Sequence, residues 1–280
     1  MIRAANTQNF VVYQPRHGWA ALDLGEVWSY RELLYFLTWR DVVVRYKQAV
    51  LGVAWAVFQP LLTMVVFTLV FNQLLDVKSP DPSLPYAVFS LSGLLPWQFF
   101  SGAMSRASVS LVANSNLLTK VFFPRLVIPL SAVLAALVDL AISFIILLVM
   151  MAAYGIAPTW HIVFLPLFVL LAIITALAVS LWLSALDVLY RDVQYLVPFL
   201  VQLWMFLSPV IYPIDRIPPA FRSVFAINPM TGVIGGFRWA LLGQQFPGGP
   251  LWISIGVIVL LFAGGLFYFK RVERTLADVV

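Results

Sequence analysis

The sequence predicts an all-α integral membrane protein. It has six transmembrane helices, an N-terminal amphipathic interface helix, and two short re-entrant outer helices between spans five and six. Three observations predict it. Of the 280 residues, 62% are hydrophobic and only 10% are charged, whereas a soluble chain carries about 25% charged residues. Six stretches are apolar over the ~20 residues that a helix needs to cross a bilayer. An open strand edge cannot be satisfied in lipid, so each stretch reads as helix.

The first element is 26–48, "EVWSYRELLYFLTWRDVVVRYKQ". On a helical wheel Arg31, Thr38, Asp41, Arg45 and Gln48 form one stripe, interrupted by Leu34. Tyr35, Phe36, Trp39, Val42, Val43 and Tyr46 form an apolar arc beside it, interrupted by Glu32. Such a helix suits the membrane interface. It serves as a short anchor for the first span or takes a more active part.

The spans are 51–75, 84–105, 126–153, 162–186, 193–214 and 251–269. Only the third carries a formal charge, Asp139. The N-terminus lacks the apolar core of a cleavable signal, so the first spans direct insertion. Thirteen of the 17 Lys and Arg lie in the two tails and in the loops near 106–125 and 187–192. The others are Lys78, Arg216, Arg222 and Arg238. Because basic residues stay on the cytoplasmic side, both termini are expected in the cytoplasm.

Two connections are unusual. The cytoplasmic segment "NSNLLTKVFFPR" mixes polar residues with Leu117, Leu118, Phe122 and Phe123. The outer segment 215–242 is apolar but broken by Pro218, Pro219, Asn228, Pro229, Gly235 and Gly236. Its pieces are too short to span. They form re-entrant helices, which need protein or a water-filled cavity beside them, or they lie flat on the outer surface.

Much chemistry is excluded. No phosphate-cradling G-x-x-x-x-G-K-[ST] motif and no H-E-x-x-H occurs. There is no Cys, and the two histidines, His17 and His161, stand far apart. No metal site, cofactor motif or catalytic set is evident, so the chain does not read as an enzyme. The basic residues behind the +5 net charge are dispersed, which gives no nucleic-acid surface. Asp139 is either a proton-coupling site or a structural acid bonded to a neighbouring helix. A proton-driven carrier places several polar groups near the midplane, and here there is one.

The stretches "RDVVVRYKQAVLGVAWAVFQPLLTMVVFTLVF", "NLLTKVFFPRLVIPL", "RDVQYLVPFLVQLWMFLSPVIYP" and "NPMTGVIGGFRWALLG" resemble the permease subunits of bacterial ATP-binding cassette (ABC) transporters that export cell-surface polysaccharides. That family includes O-antigen, teichoic acid and capsule exporters. The resemblance implies a homodimer in the bacterial inner membrane, with one separate ATPase per protomer, two per complex. ATP and Mg would bind the ATPase, with no cofactor on this chain. The cargo would be a lipid-linked polysaccharide, as in lipopolysaccharide biosynthesis.

The resemblance also assigns residues. Segment 114–124 would be a coupling helix, with Leu117, Leu118, Phe122 and Phe123 anchored in the ATPase. Lys120 and Arg125 would be rim contacts, and Pro124 would end the helix. The alternative returns the two Phe to lipid. Spans one and five would line the channel, where aromatic faces let sugars slide. The candidates are Trp55, Phe58, Phe199, Trp204, Phe206 and Tyr212. Each could instead face lipid or pack. Arg31, Arg40, Arg45 and Lys47 would attract the lipid pyrophosphate or bind anionic headgroups of the membrane. The outer helices 215–242 would gate the exit. Many family members carry an acidic residue near Gly235, so an ion pair with Arg238 is in doubt here. Competing functions are an ABC permease for a small lipophilic molecule, a proton-coupled carrier centred on Asp139, and a membrane scaffold without transport.

Overall fold

The computed structural model describes residues 24–47 and 54–273, and these contain helices and turns but no strand. Two helices, α1 (Leu24–Ser29) and α2 (Arg31–Lys47), precede the bundle. Helix α3 (Ala54–Phe67) runs on as a π-helical stretch, Thr68–Leu74. Helix α4 (Tyr86–Ser108) is followed by two short pieces, α5 (Ser110–Ala113) and α6 (Ser115–Lys120). Helices α7 (Val127–Ala135) and α8 (Leu137–Ala153) form one rod interrupted at Ala136. A 3₁₀ turn, Trp160–Phe164, leads into α9 (Leu165–Leu189). Then come α10 (Val193–Phe206), α11 (Pro219–Ala226), α12 (Pro229–Leu242) and α13 (Gly248–Glu273).

Helix α4 is the centre of the bundle. Helices α3, α7, α8, α9, α10 and α12 all pack on it. A helix enclosed on all sides need not be uniformly apolar, because its neighbours are protein rather than lipid. Ser90, Ser92, Gly93, Ala103 and Ala107 are small and let neighbouring helices approach closely. Helix α9 lies between α4 and α13. There Trp182 sits over Gly264 and Gly265, where an added Cβ would come within 2.9 Å and 2.8 Å of its ring. Its Nε1 donates to Leu261 O at 2.9 Å.

Among the described residues, four helical segments are long and apolar enough to cross a membrane: Ala54–Leu74, Val127–Ala153, Trp160–Leu189 and Gly248–Glu273. This differs from the six spans expected. Helix α4 has the length, with 23 residues, but its serines, glycines and Gln98 lower its apolarity. Helix α10 has 14 residues and stops at Phe206. Pro209 and Pro213 follow, neither with an N–H to extend a helix.

The segment after α10 folds back on the bundle. Asn228 caps α12, accepting from Met230 N at 3.0 Å, with Pro229 at the first helical position. Gly243 ends α12 at φ 66°, the left-handed geometry that glycine adopts freely. Helix α12 buries Met230, Val233, Ile234, Phe237, Ala240 and Leu241, packing on α4, α9 and α13. It is part of the bundle, not a helix lying flat on its surface.

Candidate functional site

At one end of the bundle the basic residues of several helices meet. Asp139, in the first turn of α8, accepts from Arg45 Nη1 and from the Tyr46 hydroxyl, both on α2. It also accepts from Arg106 Nη2, near the end of α4, at 3.3 Å. One carboxylate thus joins three helices. Burial, reinforced by the Asp139 carboxylate, pushes the Tyr46 hydroxyl up to about 12. A second tie involves Arg40, whose Nη2 reaches Asp41 Oδ1 at 2.8 Å and Asn114 Oδ1 at 3.0 Å. Asn114 is the N-cap residue of α6, so α2 is linked directly to that short helix.

Of the polar stripe of α2, Thr38, Asp41 and Arg45 are half-buried on the bundle side and Arg31 is exposed, while Gln48 lies outside the described residues. Leu37 is buried. Tyr35, Phe36 and Trp39 point outward and are exposed. Two cavities flank the Arg45–Arg106 pair. One, of about 330 Å³, is lined by Tyr46, Trp55, Gln59, Gln98 and Asp139. The other, of about 410 Å³, is lined by Arg40, Val44 and Asn114. Of the four pyrophosphate candidates, Arg40 and Arg45 already hold carboxylates, while Arg31 and Lys47 are exposed.

Segment 114–124 is helical only over Ser115–Lys120, ending at an extended Val121 ahead of Pro124. Its apolar residues divide. Phe122 is 72% exposed, and Phe123 is 4% exposed and belongs to the core. Leu117 and Leu118 are half-buried against that core. Lys120 is exposed. Arg125 is tied to the end of α13: its Nη1 donates to Glu273 O and its backbone N to Glu273 Oε1.

The six aromatic candidates divide too. Trp55 and Phe58 on α3, with Phe199 and Phe206 on α10, are exposed. Both helices flank α4. Trp204 turns inward, donating from Nε1 to Asn228 Oδ1 at 2.9 Å and meeting Phe100 edge-on at 5.1 Å. Tyr212 is half-buried and donates to Phe206 O at 3.1 Å.

At the opposite end Arg238 on α12 is buried and has no carboxylate partner among the described residues. Its Nη1 donates to Pro209 O at 2.7 Å and its Nη2 to Val210 O at 2.6 Å. Its guanidinium lies 3.8 Å from the centre of the Phe89 ring. Gly93 makes the room, since a Cβ there would meet Arg238 Nη2 at 2.6 Å.

Sequence reasoning did not single out Arg106, Asn114, Gly93 or Glu273. One signal was available for Arg106. A lone carboxylate in an apolar span needs a partner, and Arg106 sits at the adjoining end of the preceding span.

The profile of a family described as "ABC-2 type transporter" matches residues 32–242. The O-antigen export system permease protein RfbA of Myxococcus xanthus is 34% identical, over 89% of this chain and 96% of the relative. A protein of the same name from Klebsiella pneumoniae is 30% identical, over 89% and 95%. The polysialic acid transport protein KpsM of Escherichia coli is 26% identical, over 85% and 93%.

Proposed function

The chain belongs to the ABC-2 type transporter family, and from that premise we propose that it forms the membrane channel of an ATP-driven polysaccharide exporter. The cargo is a lipid-linked, O-antigen-like glycan moved from the cytoplasm across the bacterial inner membrane. Membership implies an ABC ATPase as partner and a transport subunit that is not itself an enzyme. The relatives named for O-antigen and polysialic acid export support the substrate class.

The observation that carries the reading is the pair of exposed aromatic rows, Trp55 and Phe58 on α3 and Phe199 and Phe206 on α10. A soluble surface would not carry them. Two copies facing one another would enclose a path with flat, uncharged walls, suited to neutral sugar rings. In this reading α4 and α10 with its following turn complete six crossings, and the α11–α12 hairpin dips in from the outer side as a gate. The basic end is cytoplasmic. There the ATPase, holding ATP and Mg, docks at α6 and Phe122, and the lipid pyrophosphate is attracted by Arg31 and Lys47.

A small lipophilic cargo would need a closed pocket rather than an open aromatic face. A proton carrier places several polar groups along its path, whereas Asp139 serves here as a tie between helices, bonded to two arginines and a tyrosine. In a strain deleted for the chain, lipid-linked polymer should build up inside the cell and disappear from the surface. Re-expression should restore it only when the ATPase partner is active. Normal surface polysaccharide in the deletion strain would overturn the proposal.

A further inference from the structure

At the end of the bundle opposite the Asp139 cluster lies a cavity of about 710 Å³, within the size range of pockets that take small ligands. Five connections build its wall: 80–84, Ile156, 209–215, the α11–α12 hairpin and 242–250. The left-handed turn at Gly243 brings Gln244 and Gln245 to the wall. Any side chain at Gly243 would collide with Thr159, 2.7 Å from an added Cβ.

The chemistry of the wall is mixed and balanced. Asp81, Asp215, Arg222 and Arg238 all line it, with Asp215 only 3.9 Å from Arg222, so the two signs balance. Asp81 is held as carboxylate by the backbone N–H and hydroxyl of Ser83, each at 2.8 Å, which keep it below the usual range. Phe246 offers an aromatic face and is braced edge-on by Trp239 at 5.1 Å. Gln244 and Arg238 line it too, and each keeps one nitrogen, Gln244 Nε2 and Arg238 Nε, buried without a hydrogen-bond partner, which is costly.

Carboxylates, amides and the Arg222 guanidinium pair with sugar hydroxyls, and a single aromatic face takes the C–H side of a pyranose. We propose that this pocket binds one or a few neutral sugar units of the exported glycan as it leaves the membrane. The inference rests on the polysaccharide-export reading. It adds a site within each chain, distinct from the aromatic faces of α3 and α10.

The chain has no Cys, so a single introduced thiol reports its own environment. Ser223→Cys places one on the pocket wall, and Lys78→Cys places an exposed control in an outer connection outside the lining. Both are labelled in whole cells with a membrane-impermeant maleimide, with polymer synthesis on or blocked at its first step. Occupancy at a few times the dissociation constant would slow labelling of Ser223→Cys about fivefold when polymer is made. The control should be unchanged, and adding Gln244→Leu to Ser223→Cys should remove the protection. Equal rates with and without polymer, in cells whose surface polysaccharide depends on the chain, would overturn the pocket assignment and leave the export reading standing. Slowing that persists without polymer would show another occupant and likewise overturn it. Surface polysaccharide that does not need the chain would remove the reading on which the inference rests.

Discussion

At the scale of residues, Asp139 and Arg238 are charged groups in an apolar chain that have found different partners. Asp139 binds two arginines and a tyrosine and so holds α2 against α4 and α8. Asp139→Asn keeps an acceptor for Tyr46 but removes the charge that Arg45 and Arg106 answer. It should cost about 1–3 kcal/mol of stability, the scale of a hydrogen bond to a charged group. Thermal unfolding in detergent measures this, and a double-mutant cycle with Arg45→Gln should show strong coupling. ATP-driven export should fall only as far as folded protein falls. Abolished export from a fully stable variant would revive the proton-coupling role. The Tyr46 contribution has a defined window. Its raised value makes the stabilisation complete below the ordinary tyrosine value of about 10, and the contribution is lost as pH rises through about 12. Arg238 depends on the absence of a side chain at Gly93. Gly93→Ala should destabilise by about 1–3 kcal/mol through overpacking, despite alanine's better helix propensity, read as a lowered melting temperature.

At the scale of elements, α6 and the residues after it separate docking from folding. Phe122 and Phe123 are adjacent and alike in sequence, yet one is exposed and the other buried. Phe122→Asp should leave the chain folded, because the side chain is largely exposed, while releasing the ATPase. Phe123→Asp should unfold or aggregate the chain, because it buries an unpaired charge. Size-exclusion chromatography with and without the ATPase separates the two effects. The sequence could name this segment but not divide it, since two neighbouring Phe carry no periodicity. The long apolar runs, by contrast, made the all-helical class legible: α3 with its π-helical extension, α7 with α8, α9 and α13 are long and apolar enough to cross a membrane. Gly235 and Gly236 read as breakers but lie inside α12, where Gly236 is the notch for Phe168, 2.0 Å from an added Cβ. A glycine at a helix crossing and a glycine at a turn look the same in one sequence. The polar stripe of α2 was visible too, but not its direction. Only a partner on another helix, Asp139, shows that its Arg45 end faces inward.

At the scale of the whole molecule, the exposed aromatics on α3 and α10 and the basic end are features to which the account assigns partners. The account gives the first to a second copy with glycan between and the second to an ATPase. Replacing Phe58 and Phe199 together by Ala should lower export several-fold while the chain still assembles with its ATPase, because each exposed ring removed takes away a stacking face and little packing. Pulse-labelled polymer arriving at the cell surface reads this. Such roles were not legible from composition, since an aromatic in a span packs, meets lipid or meets cargo with the same letter. The central claim is that this chain converts the work of a separate ATPase into transport. The most direct measurement is to purify the tagged chain from its native membrane in mild detergent and identify what accompanies it in stoichiometric amount. The account predicts one ATP-binding cassette ATPase per chain, lost in Phe122→Asp although that variant stays folded in the membrane. A chain that elutes without any ATPase across several detergents, yet still supports export, would contradict it.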